Sequence, residues 1–280
     1  MRKRNLLALL LALCLSLCLA VNAEQEEITL YARNAIVING ETGEEIYALN
    51  ADERVYPAST TKILTVLLGI LTKDEAQVVT ISEDAVRLPS DAVRIGLKAG
   101  EKLTFGELLT ATLVKSGNDG ANAIAEAVSG DAEAFARLMN GYTAAIGCTD
   151  THFVNPSGLH DENHYTTPRD MAKIAFEAMQ FEEFRDRAAR GRYTLKETNK
   201  SAVRTLSSHG RNFFANAESE YYFKGANGIK TGYTKAAGYC FVSGAERDGK
   251  KVIVCVFGCG SYGQCFRDAK KLFLYAFDKM

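Results

Sequence analysis

The chain has no excess of charge of either sign. Its 280 residues carry 33 Lys and Arg against 34 Asp and Glu, and no basic run follows Arg2-Lys3-Arg4. That balance argues against nucleic acid as a partner. Histidine is scarce, with four in all. None has a clear partner aspartate, so a Ser-His-Asp arrangement has little support. Metal-ligand spacing is missing too. Cys255 and Cys259 have no second pair of ligands nearby in sequence. His160-Asp161-Glu162-Asn163-His164 places two histidines four apart, but Asp161 stands where a zinc-protease helix needs glutamate. That run also falls between Gly158 and Pro168, in a predicted loop. Internal repeats, low-complexity tracts and linkers are absent. The apolar run Leu6 to Ala20 is short for spanning a bilayer, which takes about 20 residues.

That run reads instead as a targeting segment. Arg2, Lys3 and Arg4 form a positive n-region, Leu6 to Ala20 the apolar core, and Val21-Asn22-Ala23 a small-residue cleavage site. Glu24-Gln25-Glu26-Glu27 then turns acidic. Residues 1–23 are the expected signal peptide, and their removal moves the formal net charge from −1 to −4 by taking away three cations. Cys14 and Cys18 follow the bulky Leu13 and Leu17, which does not suit lipoprotein processing. Five cysteines remain in the mature chain: Cys148, Cys240, Cys255, Cys259 and Cys265. An odd number leaves at least one unpaired within a chain. Most read as small buried hydrophobes, with a disulfide among the last four left open.

What remains suffices for one large domain or two interleaved ones. Ala35–Asn39 and Glu45–Leu49 read as strands joined by the turn residues Gly40-Glu41-Thr42-Gly43. Ser59–Leu71 is apolar on most faces and long enough for a buried helix. Thr104-Phe105-Gly106-Glu107 fits a capping box opening a helix toward Val114. Ser116-Gly117-Asn118-Asp119-Gly120 interrupts it before Ala121–Val128 resumes, and Ala132–Ile146 follows, closed by Gly147. Asn155–Tyr165 is a polar loop. Thr167-Pro168 opens a helix over Arg169–Met179 with proline at its first position. Gly238–Arg247 and Lys251–Gly258 are strands about an Asp248-Gly249 hairpin turn, and Cys265–Lys279 a closing amphipathic helix. Strands at both ends of the chain most simply meet in one antiparallel sheet. An α+β fold follows, with an antiparallel sheet flanked by helices and an inserted all-helical lobe.

Three short words stand out in this frame. Ser59-Thr60-Thr61-Lys62 places a hydroxyl and an amine three residues apart, on one face of the predicted helix. A serine needs a base in contact with it, and a lysine serves only when burial lowers its pKa toward neutrality. The helix N-terminus adds free N–H groups near the reacting centre. Ser116-Gly117-Asn118 offers a second hydroxyl and an amide between two helices. Lys230-Thr231-Gly232 lies on or beside an edge strand, with lysine and threonine suited to a carboxylate and glycine permitting a close backbone approach. Each word alone equally describes an N-cap, a turn or a surface strand. Together and in order they describe acyl transfer by a serine activated by lysine.

The chain resembles the penicillin-interacting serine D-alanyl-D-alanine carboxypeptidases, the low-molecular-weight penicillin-binding proteins. The likeness extends to Pro57-Ala58 before Ser59, to Thr151-His152-Phe153-Val154-Asn155-Pro156-Ser157-Gly158-Leu159, and to Gly228-Ile229 and Tyr233-Thr234 around the third word. It covers residues 30 to 275. The resemblance implies the penicillin-binding protein/β-lactamase-like transpeptidase fold, with the catalytic domain over residues 24–280 as two interleaved lobes and the site between them. It implies Ser59 as nucleophile, Lys62 as its general base, and Ser116 with Asn118 as proton relay and substrate-positioning pair. Lys230 and Thr231 would bind the terminal carboxylate, beside Gly232. The N–H groups of Ser59 and Tyr233 would form the oxyanion hole. Arg211 and Arg267 are candidates to assist at the carboxylate, with no motif to choose between them. The implied partner is a peptidoglycan stem peptide ending in D-Ala-D-Ala, with β-lactams as covalent inhibitors and no metal or organic cofactor. Longer members carry a further all-β domain and a membrane helix, so a chain stopping at Met280 is expected to lack both that domain and a stable membrane anchor. The alternatives are a class A-like β-lactamase, which would carry aspartate where Gly117 stands, and a catalytically silent peptidoglycan-binding protein, which would have lost Ser59, Lys62 or Ser116.

Overall fold

The computed structural model describes residues 28–280 apart from 209, 211–213 and 215. The predicted signal peptide lies outside the described residues, as does the candidate Arg211. From Tyr31 onward the chain is built on a five-stranded antiparallel sheet in the order β2-β1-β9-β8-β7. Its strands are β1 (Asn34–Asn39), β2 (Glu45–Leu49), β7 (Ala226–Thr234), β8 (Gly238–Arg247) and β9 (Lys250–Cys259). Both ends of the chain meet where predicted: Ile36 pairs with Cys255 and Ile38 with Ile253. The Asp248-Gly249 turn has φ of 52° and 79°, the left-handed pair that matches strand twist in a tight hairpin.

The sheet is covered on both faces, which is why β1 and β9 read as continuous apolar runs rather than alternating ones. Ile36, Ile38, Ile253, Cys255 and Phe257 join the main core beneath α6 (Pro168–Gln180), which packs on β1 and β9. The alternate residues Val254, Val256 and Phe241 are also buried. On that side α8 (Tyr262–Lys279) packs on β8 and β9, with Phe266 4.9 Å from the Phe241 ring. Each such side chain, fully buried, stabilises by about 1.5–3 kcal/mol. All five described cysteines are free thiols and buried.

The middle of the chain forms the second lobe. α1 (Lys62–Thr72) is buried along most of its length. Around it stand α3 (Phe105–Lys115), α4 (Asn118–Ser129) and α5 (Ala132–Ala145), with the short α2 (Glu83–Val86) and α7 (Glu182–Ala188). The capping box is present, Thr104 and Glu107 bonding each other's backbone N–H. Two short ribbons accompany the helices: β3 (Val78–Thr80) with β4 (Lys102–Thr104), and β5 (Arg192–Leu195) with β6 (Arg204–Ser207). Among the described residues no helix is long and apolar enough to cross a membrane.

Two local expectations are corrected. The helix predicted from Ser59 begins as a 3₁₀ turn, Ala58–Thr61, and becomes α only at Lys62. The cause is local: the Thr60 and Thr61 hydroxyls fold back onto the carbonyls of Pro57 and Ala58, at 2.7 and 2.8 Å, tightening the turn. The break between α3 and α4 is confined to Ser116 and Gly117, because Asn118 already opens the next helix.

Candidate active site

The 3₁₀ turn brings Ser59 and Lys62 together, since residues three apart eclipse in that geometry. Lys62 Nζ lies 3.0 Å from Ser59 Oγ, 2.7 Å from Asn118 Oδ1 and 2.6 Å from the Ser157 carbonyl. Two of these partners can only accept. A neutral amine donates its two hydrogens to them and turns its lone pair to the third, the Ser59 hydroxyl. Lys62 is fully buried. Burial first, then the charge of Lys230, hold its pKa well below the usual lysine range, with Asp119 pulling the other way. The site is thus arranged for a serine whose proton passes to a lysine.

Ser157 owes its place to an Asx turn. Asn155 Oδ1 accepts from the N–H groups of Ser157 and Gly158, and Thr65 of α1 donates to the Pro156 carbonyl at 2.6 Å. Gly158 has φ 79°, and a Cβ there would stand 1.8 Å from the Ala58 carbonyl oxygen. Ala58 itself has φ 48°, a strained value for a residue with a side chain. It is held by a chain of hydrogen bonds. Val154 N–H donates to His164 Nδ1 at 3.1 Å, so Nε2 carries the proton and donates to Thr61 Oγ1 at 2.8 Å, and Thr61 in turn donates to Ala58. Burial pushes the His164 imidazole down to about 3, so it stays neutral. His160 lies apart from it, edge-on to Tyr56 and lining the cleft.

Ser116 is the C-cap of α3, in the left-handed region at φ 64°, and lines the same cleft as Ser59. No hydrogen bond joins its hydroxyl to Ser59 or Lys62. Asp119, which the sequence reading passes over, is buried, and its carboxylate accepts from the N–H groups of Ile95, Gly96, Leu97 and Gly120 at 2.9–3.0 Å. Asn118 N–H bonds the Val93 carbonyl. Ile95 fits against Gly117 and Gly120, where a Cβ would meet it at 2.5 Å. The motif word and its two following residues therefore form a dock for residues 93–97.

On the other side, β7 is the sheet edge. Lys230 is buried, donates to the Thr231 carbonyl at 2.8 Å, and is lowered by burial to about 7. Gly232 lies so close to the Ser59 turn that a Cβ would stand 3.0 Å from Ser59 N and from the Pro57 carbonyl. Tyr233 is 49% exposed and packs against Tyr239, with ring centres 4.4 Å apart and planes tilted by 34°. Tyr262, at the head of α8, is bonded to Thr231. No sequence signal marks it, because only the folded sheet brings it there. The cleft between these walls measures about 1040 Å³ and takes in Ser59, Ser116, Asn118, Lys230, Thr231, Gly232 and Tyr233. Arg267 is elsewhere: it pairs with Glu220 at 3.2 Å and lies over the Tyr221 ring.

The D-alanyl-D-alanine carboxypeptidase family model, Peptidase_S11, matches residues 20–261. The chain is 33% identical over 263 residues to the D-alanyl-D-alanine carboxypeptidase of Streptomyces sp. K15, covering 89% of this chain and 88% of that one. It is 31% identical to D-alanyl-D-alanine carboxypeptidase DacF of Bacillus subtilis, over 90% of this chain, and spans 64% of that relative's length. The crystal structure of the Streptomyces K15 DD-transpeptidase superposes with a TM-score of 0.82 at 30% identity, covering 90% of this chain and 99% of that one.

Proposed function

We propose a serine D,D-carboxypeptidase on one premise: the chain belongs to the D-alanyl-D-alanine carboxypeptidase family. The reaction is removal of the terminal D-alanine from peptidoglycan stem peptides ending in D-Ala-D-Ala. The observation that carries it is the environment of Lys62, a buried amine with two obligate acceptors and one hydroxyl in reach.

In this reading the peptide carboxylate sits at Lys230 and Thr231. The Ser59 Oγ–H proton passes to Lys62 Nζ as Oγ attacks the carbonyl between the two D-alanines. The N–H groups of Ser59 and Tyr233 receive the developing oxyanion, which Gly232 permits by letting β7 approach. The C–N bond breaks, and the leaving amine takes a proton relayed through Ser116, with Asn118 orienting the peptide. Water then cleaves the acyl-ester and regenerates Ser59. No metal or organic cofactor enters any step. A β-lactam opens on Ser59 by the same chemistry and stays as an ester. Removal of residues 1–23 on export delivers the enzyme to the extracytoplasmic side, where stem trimming lowers the cross-link density of the wall.

The test is mass spectrometry of the mature protein with Nα,Nε-diacetyl-Lys-D-Ala-D-Ala. D-alanine release that vanishes in Ser59→Ala supports the proposal, and no release from the folded wild type refutes it. Rapid turnover of penicillin in the same assay would point to a β-lactamase instead.

A further inference from the structure

The wall docked on Asp119 is more than a spacer. Arg94 gathers the carbonyls of Leu88, Pro89, Ser90 and Ala92 with one guanidinium, at 2.5–3.0 Å, while Asp119 gathers the N–H groups of Ile95, Gly96 and Leu97. Charge-assisted bonds of this kind fix a segment that has no strand partner. What the segment presents to the cleft is Asp91, Ala92 and Val93. Val93 is 47% exposed. Across the cleft, on the sheet side, stands the exposed Tyr233 ring, so the two walls offer an apolar contact each.

The charges of the cleft are unequal. Lys115, Lys230 and Lys235 line it, and among its described lining residues Asp91 is the one carboxylate. No ion pair or hydrogen bond among the described residues engages Asp91. A net-positive cleft suits a peptide with a terminal carboxylate, and Asp91 is the one charged group among its described lining residues that attracts a cationic side chain. The position is exposed, so the attraction is modest and weakened by salt.

We propose that Asp91, held on the Arg94–Asp119 wall, recognises a free side-chain amine on the acyl-donor peptide, with Val93 and Tyr233 contacting the aliphatic chain that carries it. The substrate class is a stem whose diamino acid is not yet cross-linked. A stem with an acylated amine has lost the charge Asp91 reads. This rests on the carboxypeptidase reading above and adds a specificity to it.

The experiment compares Nα-acetyl-Lys-D-Ala-D-Ala with its Nα,Nε-diacetyl counterpart in wild type and Asp91→Asn. Wild type is expected to favour the free amine by roughly three- to fivefold in kcat/KM at low salt, which is what an exposed ion pair gives. The ratio should fall to about one in Asp91→Asn, and in wild type at high salt, by screening. A ratio within one preparation is independent of how much of a variant folds. Equal rates for the two peptides in wild type, or a preference that survives Asp91→Asn, overturns the proposal while leaving the carboxypeptidase reading intact. Failure to release D-alanine from either peptide overturns both.

Discussion

On one wall of the cleft, Lys230 to Tyr233 are paired residue for residue with Val242 to Tyr239 of β8. On the other, residues 91–97 form no strand and hang from two side chains, Arg94 and Asp119. The strand wall is placed by a backbone ladder that no single side chain owns. The helical-lobe wall is placed by the Arg94 guanidinium, by one carboxylate that takes the N–H groups of Ile95, Gly96 and Leu97, and by glycines that leave room for Ile95. The two walls are therefore vulnerable in different ways. A substitution on the strand wall should disturb geometry at the reacting centre and leave the fold standing. One at Asp119 should cost stability as well.

The largest expected effect is at Gly232. Gly232→Ala adds a Cβ against Ser59 N and the Pro57 carbonyl and pushes β7 off the Ser59 turn. Contacts at 3.0 Å call for a shift of a few tenths of an ångström, and since misplacement of about 1 Å costs roughly 100-fold in rate, the expected loss is about tenfold. Acylation by a fluorescent penicillin should slow by that order, with the thermal midpoint little changed. A large fall in the midpoint would break the comparison.

Asp119→Asn should show the other pattern. The amide turns an N–H₂ toward backbone N–H donors and gives up the charge. Loss of charge-assisted bonds here is expected to cost about 1.5–3 kcal/mol in urea unfolding. Hydrogen exchange at Ile95, Gly96 and Leu97 should accelerate first. Unchanged stability would mean that the wall is held by packing alone.

The smallest effect is a change in pH dependence rather than a loss. In the proposed mechanism Lys230 binds the carboxylate as an ammonium, yet burial lowers it to about 7. The same mechanism needs Lys62 neutral, so kcat/KM is expected to rise as pH passes upward through its lowered pKa and to fall as Lys230 discharges near 7. The same shift bears on stability. The unfolded lysine holds its proton up to about 10.4, so between about 7 and that value the unfolded state binds more protons and stability rises with pH. Lys230→Arg, which stays protonated, should remove the falling limb of the rate profile. A falling limb that persists in this variant would assign it to another group.

Much of the fold is legible because its signals are local. The Asp248-Gly249 turn, the Thr104 capping box and Pro168 at a helix start each name their own geometry within a few residues. The ribbons β3–β4 and β5–β6 are not legible, because strands of three and four residues carry too little alternation to register. Ser59 was expected on an α-helix and stands on a 3₁₀ turn, since only the folded chain shows the threonine hydroxyls turned back on the carbonyls. The three motif words place the residues that surround the cleft. They say nothing of Tyr262, of the Ser157 carbonyl or of the Arg94–Asp119 wall, all of which reach the site through long-range contacts. His160 and His164, four apart in sequence, are parted by the fold, one facing the cleft and the other buried against Thr61.

The proposed chemistry depends on a resting state in which Lys62 is a neutral amine aimed at Ser59. It is tested most directly by ¹⁵N NMR of the lysine side chains over a pH titration, with Lys62→Arg identifying the resonance. The expected result is a Lys62 signal already in the neutral-amine position at a pH where the exposed lysines remain protonated. A Lys62 that titrates together with those surface lysines, near 10.4, would contradict it.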